Sequence, residues 1–187
     1  MAASTGGPGA LTKVFNMLAP TSRATFFVVQ HGPAWMLAQR LKRKTTMKVN
    51  LAKDGVRAVP GEIYVAPGSR HLLIESGSLT LRLADNPPDG FIFPSANLLF
   101  RSAAKAFGRH CLAVVMTGMG YDGSRGAAIV AASGGVVIAQ DPETAGARSM
   151  PQTVIKMGIP TSVVALEHIA ETITRYVDRL FAEIDLL

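Results

Sequence analysis

The segment Cys111–Thr117 reads CLAVVMT, seven residues with no charge and no alternation of apolar with polar side chains. A strand built this way has no face for water. It belongs inside a parallel sheet that is covered by helices above and below. Thr25–Gln30 (TFFVVQ) and Val136–Ala139 (VVIA) have the same character, and Glu62–Ala66, Leu72–Glu75, Leu79–Leu83 and Ser162–Ala165 complete a set of short strands. Between them lie segments with helical character: Gly9–Ala19, Trp35–Thr45, Asn97–Phe107, Gly123–Ser133 and Pro151–Met157. Strand and helix alternate, which predicts an α/β fold: a doubly wound, mostly parallel sheet with helices on both faces. Glu75–Leu79 (ESGSL) predicts a turn between two neighbouring strands, hence a local antiparallel hairpin. At the end of the chain Ile169, Ile173, Tyr176, Val177, Leu180, Phe181 and Ile184 recur at spacings of three and four, the stripe of a helix that packs on the sheet. Asp85–Gly90 (DNPPDG) reads as a surface loop.

With 187 residues, no repeat and no linker, residues 1–187 are expected to form a single domain. Hydrophobic residues make up 48% and charged residues 17%, a balance from which a core is readily built and a folded chain is expected. The net charge of +6 is scattered, and its densest group, Arg40, Lys42, Arg43 and Lys44, reads as a solvated helix face. Aromatic residues are 6%, too few for a stacking series on single-stranded nucleic acid, so no nucleic-acid partner is expected. The single cysteine, Cys111, excludes an internal disulfide. It lies in an apolar run, as a buried, inert thiol in a reducing cytoplasm would. No stretch reaches the roughly 18 apolar residues of a membrane span, and no signal peptide is visible, so no membrane insertion is expected. No His, Cys or carboxylate pair has metal-ligand spacing; neither metal nor cofactor is expected.

In open α/β sheets, ligands sit beyond the carboxyl ends of the strands. Three reactive residues fall at such ends. Ser4 lies in Ala3–Gly9 (ASTGGPG), where small neighbours let a substrate approach and a following helix offers its N–H groups to developing negative charge. His31 follows TFFVVQ, and an imidazole is the side chain suited to act as a general base at neutral pH. Asp122 lies in Thr117–Gly123 (TGMGYDG), after the strongest strand. A serine becomes nucleophilic when a base takes its proton, and a carboxylate on the other ring nitrogen holds that base in the right tautomer. Each residue also has a plainer role open to it. Ser4 or Thr5 could cap the first helix, and Asp122 could cap the helix Gly123–Ser133. A phosphate-binding loop at Ser4 is disfavoured, because the Walker lysine and the GxGxxG spacing are both missing. His71, His110 and His168 read as surface or packing histidines outside the proton relay. A strand should precede the Ser4 turn, yet three residues stand before it. The sequence therefore predicts a missing strand and a shortened N-terminus.

At these residues the chain resembles the catalytic domain of CheB-type protein-glutamate methylesterases of bacterial chemotaxis. The matching blocks are Ala3–Gly7 (ASTGG), Val29–His31 (VQH), Pro60–Leu72 (PGEIYVAPGSRHL), Pro94-Ser95 with Leu99–Ser102, Thr117–Gly123, Ala139–Asp141 (AQD) and Met150-Pro151. The resemblance implies that Ser4, His31 and Asp122 form a catalytic triad and that Thr5, Met119 and Gly120 line the substrate and oxyanion site. It further implies hydrolysis of glutamate γ-methyl esters on the cytoplasmic helices of methyl-accepting chemoreceptors, with deamidation of receptor glutamines beside it. A receiver domain, absent from this chain, is a further expected partner. Departures from the family pattern are Ala2 for a glycine, Asn97 for an aspartate, and Ala145–Ser149 (AGARS) before Met-Pro. A non-catalytic receptor-binding module and a hydrolase of other small esters or amides are the alternatives.

Overall fold

The structure, a computed structural model, describes residues 1–19, 23–85 and 92–184. Its elements in chain order are β1 (Ala2–Ala3), α1 (Gly7–Met17), β2 (Phe26–Gln30), α2 (Ala34–Lys44), β3 (Val49–Leu51), β4 (Ile63–Val65), β5 (His71–Ile74), β6 (Leu81–Ala84), α3 (Ala96–Phe107), β7 (Leu112–Val115), α4 (Ser124–Ala132), β8 (Val136–Gln140), α5 (Ser149–Lys156), β9 (Ser162–Val164) and α6 (Ile169–Ile184). Seven strands form one sheet in the order β3-β4-β2-β1-β7-β8-β9, all neighbours parallel. β5 and β6 form the expected antiparallel pair, in register from His71↔Ala84 to Ile74↔Leu81. The loop expected at Asp85–Gly90 lies, beyond Asp85, outside the described residues.

Successive strand residues point to opposite faces, so the apolar runs feed two cores. Val28 and Val114 join a core with Leu11 and Phe15 of α1, Leu37 and Leu41 of α2, and Ile169 and Ile173 of α6. Val29 and Val115 join a second core with Leu99 and Phe100 of α3, Val130 of α4, Met150 and Val154 of α5, and Leu72 of the hairpin. Helices thus cover both faces, and this explains why the central strands carry no polar alternation. β3 escaped the sequence reading because it is a three-residue edge strand with Leu51 exposed, too short to show a period.

The strand expected to be missing before Ser4 is present. β1 is two residues long, and hydrogen bonds close it on both sides: Val29 N–H donates to Met1 O at 2.9 Å and Met116 N–H donates to Ala2 O at 2.9 Å. Ala2 and Ala3 are completely buried. Two alanines make no periodic pattern, so this strand is invisible to a pattern search although it occupies the centre of the sheet. From β1 the chain crosses through α1 to β2 on one side, whereas β7, on the other side, leads through α4 to β8. The carboxyl ends of β1 and β7 are therefore the point where the strand order reverses, and in such sheets the crevice outside that point is the usual ligand position.

Candidate active site

Ser4, His31 and the loop Thr117–Asp122 stand at the carboxyl ends of three adjacent strands, β1, β2 and β7. The pairing Ala3↔Gln30 sets Ser4 opposite His31, on strands about 4.8 Å apart. His31 Nε2 and Asp122 Oδ2 are 2.9 Å apart, with 18% of the His31 side chain and 4% of the Asp122 side chain exposed. A carboxylate accepts only, so it draws the ring proton to Nε2 and leaves the Nδ1 lone pair available. Ser4 Oγ makes no hydrogen bond among the described residues; the structure joins His31 to Asp122 and leaves the serine hydroxyl open.

The plainer roles are not taken up. α1 begins at an N-cap Gly6 with no side-chain cap, so neither Ser4 nor Thr5 caps it. α4 has Gly123 as its N-cap and likewise no side-chain cap. The Asp122 carboxylate instead faces the start of α3. Ala96 N–H donates to Oδ2 at 2.7 Å and Asn97 N–H to Oδ1 at 3.0 Å, with Ser95 Oγ at 3.2 Å from Oδ1 and Gly123 N–H at 2.9 Å. Burial resists its ionisation, but the hydrogen bonds from His31, Ala96 and Asn97 outweigh that and hold the carboxyl below its ordinary pKa. Asn97 secures this cradle at its other end: its Oδ1 accepts Gly126 N–H of α4 at 2.9 Å.

Two buried glutamines hold the loops, and neither was singled out in the sequence. Gln30 Nε2 donates to Ser4 O at 2.9 Å and to His31 O at 2.7 Å, tying the two residues through their carbonyls. A Cβ on Gly7 would overlap Gln30 Oε1, which is why the helix starts on a glycine. Gln140 Oε1 accepts Thr117 N–H at 2.9 Å. Thr117 Oγ1 donates to Thr5 O at 2.8 Å and accepts Ala147 N–H at 3.0 Å. The sequence signal for Gln30 was a polar residue closing a strand that is otherwise apolar on both faces.

Of the residues expected to line the oxyanion site, Gly120 has its N–H committed to Ser149 Oγ at 3.1 Å. Thr5 N–H and Met119 N–H donate no hydrogen bond among the described residues. Met119 is 67% exposed. The segment Ala145–Ser149 thus latches the 118–120 turn: Gly118 N–H donates to Ala147 O at 2.9 Å and Met150 N–H to Gly118 O at 3.0 Å. Cys111 is buried, which pushes its thiol up to about 11, the inert state expected.

Gly118 leaves room for none but itself. A Cβ there would overlap Met150 Sδ and stand 2.8 Å from Ser4 Cβ and 3.1 Å from the Ser4 backbone nitrogen. Gly118→Ala is therefore expected to destabilise the fold by about 1–3 kcal/mol through overpacking, read as a lower urea midpoint at unchanged slope. An unchanged midpoint would mean that the crevice is looser than the structure shows.

The CheB methylesterase family model matches residues 1–173. The chain belongs to the CheB methylesterase family. It is 42% identical over 179 residues to a protein-glutamate methylesterase/protein-glutamine glutaminase of Rhodospirillum rubrum, a match covering 92% of this chain and 46% of that protein. A protein of the same designation from Pyrococcus abyssi is 37% identical over 185 residues, 96% of this chain and 50% of its own length. The chain spans about half the length of these relatives. The CheB methylesterase catalytic domain of Thermotoga maritima has the same fold, with a TM-score of 0.88 at 33% identity over 95% of each chain.

Proposed function

We propose that this chain is a serine esterase that hydrolyses glutamate γ-methyl esters on chemoreceptor helices, releasing methanol, with deamidation of receptor glutamines at the same site. The observation that carries this reading is the His31–Asp122 bond of 2.9 Å beside Ser4, which stands opposite His31 in the strand register. Ser4 and His31 each follow directly on the paired residues Ala3 and Gln30, and catalytic hydrogen bonds commonly tighten only when substrate is bound. Ser4 Oγ attacks the ester carbonyl while His31 Nδ1 takes its proton. The uncommitted amides of Thr5 and Met119 stabilise the oxyanion, and Gly120 shapes the turn that presents them. His31 then gives the proton to the departing methoxide, so methanol leaves and an acyl-Ser4 ester remains. Water, deprotonated by His31, attacks that ester and restores Ser4 and a glutamate carboxylate. For a glutamine substrate the same steps release ammonia.

The names of the relatives support both activities. As part of this reading the reaction belongs to cytoplasmic chemotactic signal transduction, with the receptor helices as substrate and a receiver domain as regulatory partner. Among the described residues no helix is long and apolar enough to cross a membrane. The test is methanol release from a methylated receptor cytoplasmic fragment. Methanol with matching loss of methyl ester supports the reading. Receptor binding without methanol makes the chain a binding module, and turnover of small esters alone makes it another serine hydrolase.

A further inference from the structure

His71 opens β5, far from the proton relay in sequence, and is completely buried. Its ring stacks on Phe93 with centroids 4.4 Å apart at an interplanar angle of 21°. Its Nδ1 accepts the N–H of Ser95 at 3.0 Å. A nitrogen that accepts carries no proton, so the neutral ring holds its proton on Nε2, which is buried and has no partner among the described residues. Ser95 is the N-cap of α3, and the next two amides of that helix, Ala96 and Asn97, are the ones that hold the Asp122 carboxylate. A second tie, Ile74 N–H to Ser102 Oγ at 3.0 Å, fixes α3 to the same strand one helical stretch further on.

We infer that His71 is a positioning residue for the reaction: by accepting the Ser95 N–H it sets the start of α3 at the angle that delivers the Ala96 and Asn97 amides to Asp122, and through Asp122 it orients His31. This rests on the reading of Asp122 and His31 given above. Burial also disfavours a second proton on the ring, against the attraction of Asp122, and keeps His71 in the neutral form that can accept. Protonation would put an N–H against the Ser95 N–H and dissolve the bond. The sequence had placed His71 among surface or packing histidines; the structure puts it two hydrogen bonds from the carboxylate.

Packing and positioning make opposite predictions for two substitutions. His71→Leu keeps the volume of the site filled but has no acceptor. His71→Asn leaves a gap but can place Oδ1 where Nδ1 was. If His71 only fills space, activity follows stability and the Leu variant is the better enzyme. If it positions the α3 amides, His71→Asn keeps kcat within about threefold of the parent although its thermal midpoint is lower, whereas His71→Leu loses at least about tenfold in kcat with KM little changed. A second measurement needs no substrate. The Asp122 carboxyl titration, followed by NMR, moves to higher pH in His71→Leu, because the Ala96 and Asn97 amides that help hold it below its ordinary value are misplaced, and stays near the parent value in His71→Asn. Equal kcat in both variants, or an Asp122 titration unmoved in His71→Leu, overturns the inference. A parent chain that releases no methanol while the Asp122 titration still separates the two variants defeats the proposed esterase and leaves the positioning of Asp122 standing. Should His71→Leu not fold, a His71→Asn variant that loses activity in proportion to its stability overturns the inference by itself.

Discussion

Ser4→Ala is expected to lower methanol release from methylated receptor by at least about 10³-fold while receptor binding is kept. An activated serine acts as a unit with its base and the group orienting that base, so removing any one of them forfeits most of the rate advantage. The binding half of the expectation follows from the structure. Ser4 Oγ holds no hydrogen bond among the described residues and caps no helix, while its backbone is tied by its own N–H to Thr117 O at 2.9 Å and by its carbonyl to Gln30. Losing one oxygen therefore leaves the crevice in shape, and the thermal midpoint should stay within a few degrees of the parent. Retention of most activity by Ser4→Ala would put the nucleophile elsewhere. Loss of activity together with loss of binding would point to a collapsed crevice rather than to chemistry.

Asp122→Asn should cost more than catalysis. The five groups around this carboxylate are all donors: His31 Nε2, Ser95 Oγ and the amides of Ala96, Asn97 and Gly123. An asparagine NH2 in place of either oxygen meets a donor, whichever way it is turned. With the amide nitrogen toward His31, the ring must take its proton on Nδ1, the nitrogen that should receive the Ser4 proton. Turnover is expected to fall by about 10³–10⁴-fold, with about 1–3 kcal/mol of stability lost because buried amides are left unpaired. The pH dependence of stability separates the two effects. The folded-state pKa of Asp122 lies below the ordinary value, so its contribution is present above about pH 4, the unfolded value, and is lost as the pH falls through the folded one. The parent should therefore lose more stability than Asp122→Asn below about pH 4. Parallel curves of thermal midpoint against pH would show that the carboxylate is not held as the structure has it.

What could be read from the chain alone was whatever repeats within a few residues. The runs TFFVVQ, CLAVVMT and VVIA are apolar at consecutive positions, and that determines strands with both faces covered and so a parallel sheet between helix layers. The placement of Ser4, His31 and Asp122 beyond strand ends was legible, because each follows such a run or a turn next to one, and the structure has them beyond β1, β2 and β7. β1 and β3 were not legible, since two and three residues contain no period.

The tertiary structure alone decided the partners. Asp122 caps the helix beside it in a local reading, but in the fold only the Gly123 amide comes from that side, and the Ala96 and Asn97 amides reach it from 26 and 25 positions upstream, at the start of α3. His71 meets Ser95 across 24 residues, and Gln30 meets Ser4 across 26. These contacts depend on β1 lying between β2 and β7 and on the hairpin packing against α3, arrangements that pack whole elements and leave no mark at three-, four- or two-residue spacing. The residue types for the proposed chemistry are written in the sequence. Their hydrogen-bond partners are fixed by strand order, because a buried polar group bonds to whatever the packed layers bring within 3 Å of it.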